Sequence, residues 1–254
     1  MTRARSLTRR ASLALTAPVV AVLVASTAVS PTHTKAQSTG LTHSSVSSQA
    51  DPPDQTLMVI GDSYSSYYAD LTTRYPAWWA YLAADLGLKP IVRAEPGTGF
   101  VASGKACELT KFAERMSAIR VANPRILVIA GGRNDWRTCT STGRLTPATK
   151  SEIKRQTTTY FQLLASVWAD MGRSPNDVYV LSPWGPSMSK KGSVIRPIIR
   201  DAATGSGFNW IRTEPLDRAT TVDGIHPNQA GNFRLSEQAQ ENSDLRVRFG
   251  NRNG

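Results

Sequence analysis

Short apolar runs that stop at glycine or a turn, separated by amphipathic stretches of helical length, constrain this chain more than any other feature. Leu57-Met58-Val59-Ile60 is such a run and ends at Gly61. Unbroken apolarity over so few residues marks a strand buried on both faces. Trp78 to Leu86 has helical spacing and stops at Gly87. Ile91-Val92 reads as a second strand, Lys111 to Val121 as a helix, and Ile126 to Ile129 as a third strand before Gly131-Gly132. Thr149 to Met171 is a long amphipathic helix opened by Thr146-Pro147 and closed by Gly172. Val178 to Leu181 is a fourth strand. Val194 to Ala203 is helical, with Pro197 marking a bend or boundary. Trp210-Ile211 is a fifth strand and Gln229 to Gln240 a closing helix. Strand alternating with helix predicts an α/β fold, with three α/β/α layers around a parallel sheet covered on both faces.

The alternation begins only near Thr56. Before it, Arg3 to Arg10 form a basic stretch, and Leu13 to Val29 is apolar and uncharged. Small residues follow at Ala25-Ser26-Thr27-Ala28 and again at Thr34-Lys35-Ala36. These are the parts of a secretory signal over residues 1–36. The apolar run is close to the lower limit for a membrane span, so an uncleaved anchor is the alternative. Thr8-Arg9-Arg10-Ala11-Ser12-Leu13 partly matches a twin-arginine signal. Residues 37–54 are rich in Ser, Thr, Gln and Pro and hold too little apolar surface to fold, so they read as a linker. The domain is expected over 55–246, with a tail at 247–254.

The whole chain carries a net charge of +11. Arg3, Arg5, Arg9, Arg10 and Lys35, with no acidic residue among them, lie in the first 36, which leaves +6 for the remainder. That balance favours anionic surfaces such as an envelope or acidic glycans. The cations form no nucleic-acid-like patch, so no nucleic-acid partner is expected. Cys107 and Cys139 are the only cysteines. In an exported chain an even pair suggests one disulfide, two buried thiols being the alternative.

In open parallel sheets, sites form at the carboxyl ends of the strands. Ser63 follows the first strand, Gly97 and Gly99 the second, Asn134 and Asp135 the third, and Asp223 and His226 come after the last. A serine hydroxyl needs a base to accept its proton as it attacks. Of the three histidines, His33 and His43 fall in the signal and linker, which leaves His226 as the only imidazole in the domain. Asp223, three residues earlier, can hold one ring nitrogen and fix the tautomer. An attacked carbonyl becomes an oxyanion and needs donors already in place. The backbone N–H of Ser63, a glycine N–H from Gly97-Thr98-Gly99 and the amide of Asn134 are the candidates. One histidine and no His-Glu-x-x-His spacing leave too few ligands for a metal hydrolase. No Gly-x-Ser-x-Gly elbow is present, which argues against the ordinary α/β-hydrolase arrangement.

Gly61-Asp62-Ser63-Tyr64 resembles the first block of the SGNH (GDSL-type) hydrolases. Gly132-Arg133-Asn134-Asp135 is similar to their Gly-x-Asn-Asp block, and Asp223-Gly224-Ile225-His226-Pro227 to their Asp-x-x-His-Pro block. Pro96-Gly97-Thr98-Gly99 falls where their glycine block belongs. The resemblance spans nearly the whole expected domain, with the motifs in order on strand ends. It implies a flavodoxin-like parallel sheet, Ser63 as nucleophile, His226 as base, Asp223 as its orienter and Asn134 as an oxyanion donor. Arg93 stands where the family has an asparagine, and the oxyanion glycine is left between Gly97 and Gly99. Tyr64, where a smaller aliphatic residue is common, suggests a crowded entrance.

The expectation is a secreted or envelope-located serine ester hydrolase that needs no cofactor and no metal. Its substrate would be a small-molecule, lipid or glycan ester. A carbohydrate O-deacetylase, an acyltransferase of the same fold, or a noncatalytic glycan-binding module are the alternatives. Tyr64 and Trp136 are the expected pocket aromatics by motif position. Tyr67, Tyr68, Phe100 and Trp184 also follow strand ends, whereas Trp78 and Trp79 on a helix read as core. Cys107 and Cys139 follow the second and third strands, which lie on either side of the first in a flavodoxin-like order. A disulfide between them would brace the rim of the oxyanion hole.

Overall fold

The computed structural model describes residues 55–66, 75–183 and 190–250. The expected signal, the linker, and Tyr67, Tyr68 and Trp184 lie outside these residues. In chain order the strands are β1 (Thr56–Gly61), β2 (Lys89–Ala94), β3 (Ile126–Ala130), β4 (Arg137–Cys139), β5 (Leu145–Pro147), β6 (Val178–Leu181) and β7 (Asn209–Ile211). The helices are α1 (Ser63–Ser66), α2 (Trp78–Asp85), α3 (Met116–Ala122), α4 (Lys150–Asp170), α5 (Lys190–Gly205), α6 (Gln229–Glu241) and α7 (Leu245–Phe249).

Five of the strands form one parallel sheet in the order β2-β1-β3-β6-β7, a flavodoxin-like arrangement. The period-2 alternation of strand side chains divides the core into two layers. Met58, Ile60, Leu127, Ile129, Val178 and Val180 pack with Phe112, Ile119, Phe161, Leu164, Trp168 and Ile199, which places α3, α4 and α5 on that face. Leu57, Val59, Ile126, Val128, Tyr179 and Leu181 pack with Trp78, Leu82, Leu235, Ala239 and Leu245, which places α2, α6 and α7 on the other. The fold is thus a three-layer α/β/α sandwich, and Trp78 is core as expected. Strand register positions the site: Gly61 stands opposite both Ala94 and Ala130. The segments leaving β1, β2 and β3 therefore emerge side by side at one sheet edge.

Several elements differ from the sequence reading. The segment from Lys111 opens as a 3-10 turn over Phe112–Arg115, and regular α-helix starts only at Met116. The Glu114 carboxylate accepts from the Lys111 N–H and closes that tight turn. Helix α4 is opened by Thr149, whose hydroxyl accepts from the Glu152 N–H at 3.1 Å. Thr146 and Pro147 belong instead to β5, which pairs antiparallel with β4. Helix α5 runs through Pro197 without a boundary. Its Ile195, Ile198, Ile199 and Ala203 are packed into the core, and that burial holds the helix together across the missing N–H. Helix α7 carries the fold past residue 246, with Leu245 buried and Phe249 packed beside it.

Candidate active site

Ser63 is the first residue of α1, directly after β1. Asp62 precedes it, with 1% of its surface exposed. One Asp62 oxygen accepts from the Tyr64 N–H at 3.0 Å and the other from the Asn134 side-chain amide at 3.3 Å. The Asp62 carboxylate therefore pins the turn that presents Ser63. Burial pushes the Asp62 carboxyl up to about 7. The Tyr64 N–H opposes that rise, the charge of Asp135 adds to it, and Arg133 and Arg115 lower it.

Asp223 and His226 lie on a loop stitched to itself. The Val222 N–H donates to the His226 carbonyl, and the Asn228 N–H to that of Thr220. Asn228 caps α6 by accepting from the Gly231 N–H, so the loop is anchored directly on a packed helix. One Asp223 oxygen accepts from the backbone N–H groups of Ile225 and His226 at 2.8 and 2.7 Å. The other lies 2.7 Å from His226 Nδ1. Desolvation raises the Asp223 pKa, but the bonds from His226 and Ile225 outweigh it and hold the carboxyl down at about 2. An ionised carboxylate on Nδ1 keeps the proton there and leaves Nε2 as the accepting nitrogen.

The glycine loop resolves two positions that the sequence left together. The Gly99 N–H donates to the Ala102 carbonyl at 3.0 Å, and its Cα is pressed against Asp135, where an added Cβ would lie 2.3 Å from Oδ1. Gly97 adopts a left-handed φ of +75° and lines the cavity. Asp135 is completely buried. Its carboxylate accepts from the successive N–H groups of Phe100, Val101 and Ala102 at 3.1, 2.8 and 3.1 Å. Desolvation still pushes Asp135 up to about 6, against the pull of those amides and of Lys111. The Asn134 side-chain amide donates to the Thr98 carbonyl at 3.0 Å besides its longer contact to Asp62.

Ser63, Tyr64, Gly97, Asn134, Trp136 and His226 line one cavity of about 670 Å³. That volume suits a ligand of small-molecule size. The Tyr64 ring is buried, 5.6 Å centroid to centroid from the His226 imidazole. Phe100 instead packs against Phe112, Tyr160 and Phe161. The Trp79 indole donates to the Ser65 carbonyl at 2.9 Å, behind the turn that carries Ser63. Cys107 and Cys139 are joined in a disulfide with Cα atoms 5.7 Å apart. It ties the loop that supplies Lys105, Glu108 and Leu109 to the strand that follows Trp136, so it bridges two walls of the cavity.

A profile of the GDSL-like lipase/acylhydrolase family matches residues 59–233. The chain belongs to that family. Among curated protein sequences, none matches this chain. Similar solved structures include Est24, a carbohydrate acetylesterase from Sinorhizobium meliloti, at 18% identity and a TM-score of 0.56, covering 74% of this chain and 97% of that one. A family two carbohydrate esterase from Clostridium thermocellum in complex with cellohexaose shows 16% identity and a TM-score of 0.58, covering 78% and 66%. The aryl esterase of M. smegmatis shows 18% identity and a TM-score of 0.53, covering 74% and 99%. At such identities the likeness shows the shared fold.

Two contributors to the GDSL-like site were missed in the sequence. Arg115 is 5% exposed, and its guanidinium donates to the carbonyls of Gly61, Arg93 and Thr110 and to the hydroxyls of Thr98 and Thr110. It also pairs with Glu95 at 3.4 Å. Arg115 thus staples the ends of β1 and β2 to the glycine loop. Arg137 forms part of the cavity wall. Neither position carries a local sequence signal. Among the described residues, no cluster of His, Cys, Asp and Glu could hold a metal ion, and no helix is long and apolar enough to cross a membrane.

Proposed function

We propose that this chain hydrolyses carboxylic esters through an acyl-enzyme on Ser63. His226 takes the Ser63 proton as the hydroxyl attacks the ester carbonyl, then gives it to the leaving alcohol. Asp223 holds Nδ1 and stabilises the imidazolium. Water activated by the same imidazole releases the acyl group. The backbone N–H groups of Ser63 and Gly97 and the Asn134 amide receive the oxyanion, and Asn134 exchanges its 3.3 Å contact to Asp62 for that interaction. Gly97 takes this role rather than Gly99, whose amide is occupied by Ala102.

The observation that carries the reading is the convergence of Ser63, Gly97, Asn134 and His226 on one cavity, with Asp223 2.7 Å behind the imidazole. The carbohydrate acetylesterase among the structural neighbours supports a short acyl group such as acetate. The apolar basic N-terminus and the disulfide support action outside the cytoplasm. A fluorophosphonate probe should label Ser63, and Ser63→Ala should abolish both labelling and turnover of 4-nitrophenyl acetate while the protein stays folded. Full activity in that variant would remove Ser63 as nucleophile.

A further inference from the structure

The cavity that holds Ser63 is lined by three cationic side chains, Lys105, Arg133 and Arg137. The carboxylate and the imidazole facing them in its wall are those of Glu108 and His226, with Asp223 behind the imidazole and already engaged with it. The Arg137 guanidinium lies over the Trp136 ring at 4.6 Å and the Arg133 guanidinium over Tyr64 at 5.6 Å. Each of these cations thus lies against an aromatic wall of the cavity. Among the described residues, no N–H of the Arg137 side chain finds an acceptor, and its Nε is out of contact with water. Arg137 contrasts with Arg115, whose donors are all engaged by protein oxygens. A guanidinium half withdrawn from solvent, positioned by an aromatic ring and without an acceptor is a built receptor for a carboxylate.

We propose that the preferred substrate is an ester that carries a carboxylate within the same cavity as its scissile bond, with Arg137 as the specificity-determining residue and Lys105 as the second cation. The inference rests on the ester-hydrolase reading. Cavity charge selects the anion, and the excess of basic over acidic residues along the chain draws it in. The anion sits on the alcohol side, as in an acylated uronic acid, or at the far end of the acyl chain. Both present the same chemistry to Arg137.

Two matched pairs test this. 4-Acetoxybenzoate against 4-acetoxybenzamide places the charge on the alcohol side. Mono-4-nitrophenyl adipate against 4-nitrophenyl hexanoate places it on the acyl side. At least one anionic member should exceed its neutral partner in kcat/KM by about tenfold or more at low salt. That preference should shrink in about 0.5 M NaCl, where screening is short-ranged. Arg137→Gln should reduce the ratio to near one, and Arg137→Lys should restore part of it, since lysine keeps the charge but loses the fork. Ratios near one in both pairs, or a ratio indifferent to Arg137→Gln, would overturn the inference and leave the esterase reading intact. No turnover of any of the four esters together with no labelling of Ser63 would overturn both.

Discussion

The Arg115 guanidinium donates to the Gly61 carbonyl at 2.8 Å, beside the turn that carries Ser63. The same side chain reaches the Arg93 carbonyl at 3.0 Å and the Thr98 hydroxyl at 2.7 Å. A single buried fork thereby sets the distance between the Ser63 turn and the glycine loop that flanks it. Arg115→Lys has too few donors, in the wrong geometry, to satisfy these oxygens. Leaving buried acceptors unsatisfied costs roughly 1–3 kcal/mol each before relaxation. The expected result is a loss of at least about 2 kcal/mol in urea unfolding. In the variant that remains folded, kcat should fall more than KM rises. An unchanged kcat at reduced stability would make Arg115 structural only.

The glycine loop gives two opposite mutational outcomes. At Gly97 an added Cβ has room, its nearest neighbour being 3.4 Å away, but the left-handed φ is unfavourable for alanine. Gly97→Ala should cost about 1–2 kcal/mol and leave the Asp135 contacts in place. At Gly99 the Cβ collides with the Asp135 carboxylate. Gly99→Ala should therefore release the Phe100, Val101 and Ala102 amides, and their hydrogen exchange should accelerate. Exchange that accelerates in the Gly97 variant and not in the Gly99 variant would reverse the assignment.

Asp62 and Asp135 titrate in the opposite sense to Asp223. Burial raises both pKa values, to about 7 and about 6, so the native state binds protons that the unfolded chain has already released. Their contribution to stability is complete below the unfolded carboxyl pKa of about 3.9 and is lost as pH rises through about 6 and then about 7. For Asp223, held down at about 2, the contribution is present above about 3.9 and lost as pH falls through about 2. Carbon NMR of protein labelled at the aspartate carboxyls should show the Asp135 and Asp62 resonances moving near about 6 and about 7. Titration of both near about 4 would mean that water reaches these carboxyls.

Legibility of the sequence followed burial. Strands β1, β3 and β6 are buried on both faces, so each shows an unbroken apolar run. Strand β2 is an edge strand with Lys89 and Arg93 exposed, and only Ile91-Val92 stood out. The β4–β5 hairpin pairs three residues on each side with polar Thr138 opposite Thr146, too short for alternation to register. Ser63, Asp223 and His226 were legible because each is presented by its own local turn. Arg115 and Arg137 act through partners brought by the tertiary fold, Gly61 being 54 positions from Arg115, and no local pattern encodes that. The glycine choice needed coordinates for the same reason: the Asp135 carboxylate that presses on Gly99 comes from the loop after β3.

The Cys107–Cys139 disulfide closes a loop with a sequence separation of 32. Constraining an unfolded chain over that length is worth about 3–4 kcal/mol in the chain-entropy picture. The bond also joins the Lys105–Leu109 segment to the strand beginning at Arg137, two walls of the cavity that holds Ser63. Two effects should therefore appear together when both cysteines are replaced by serine. The urea midpoint should fall by an amount equivalent to about 3–4 kcal/mol. KM should rise several-fold while kcat changes less, because Ser63, Asp223 and His226 are held by bonds that do not involve this loop. A fall in kcat with KM unchanged would instead place the disulfide's influence on the oxyanion loop through Pro96 and Gly97, which share the cavity wall with Lys105.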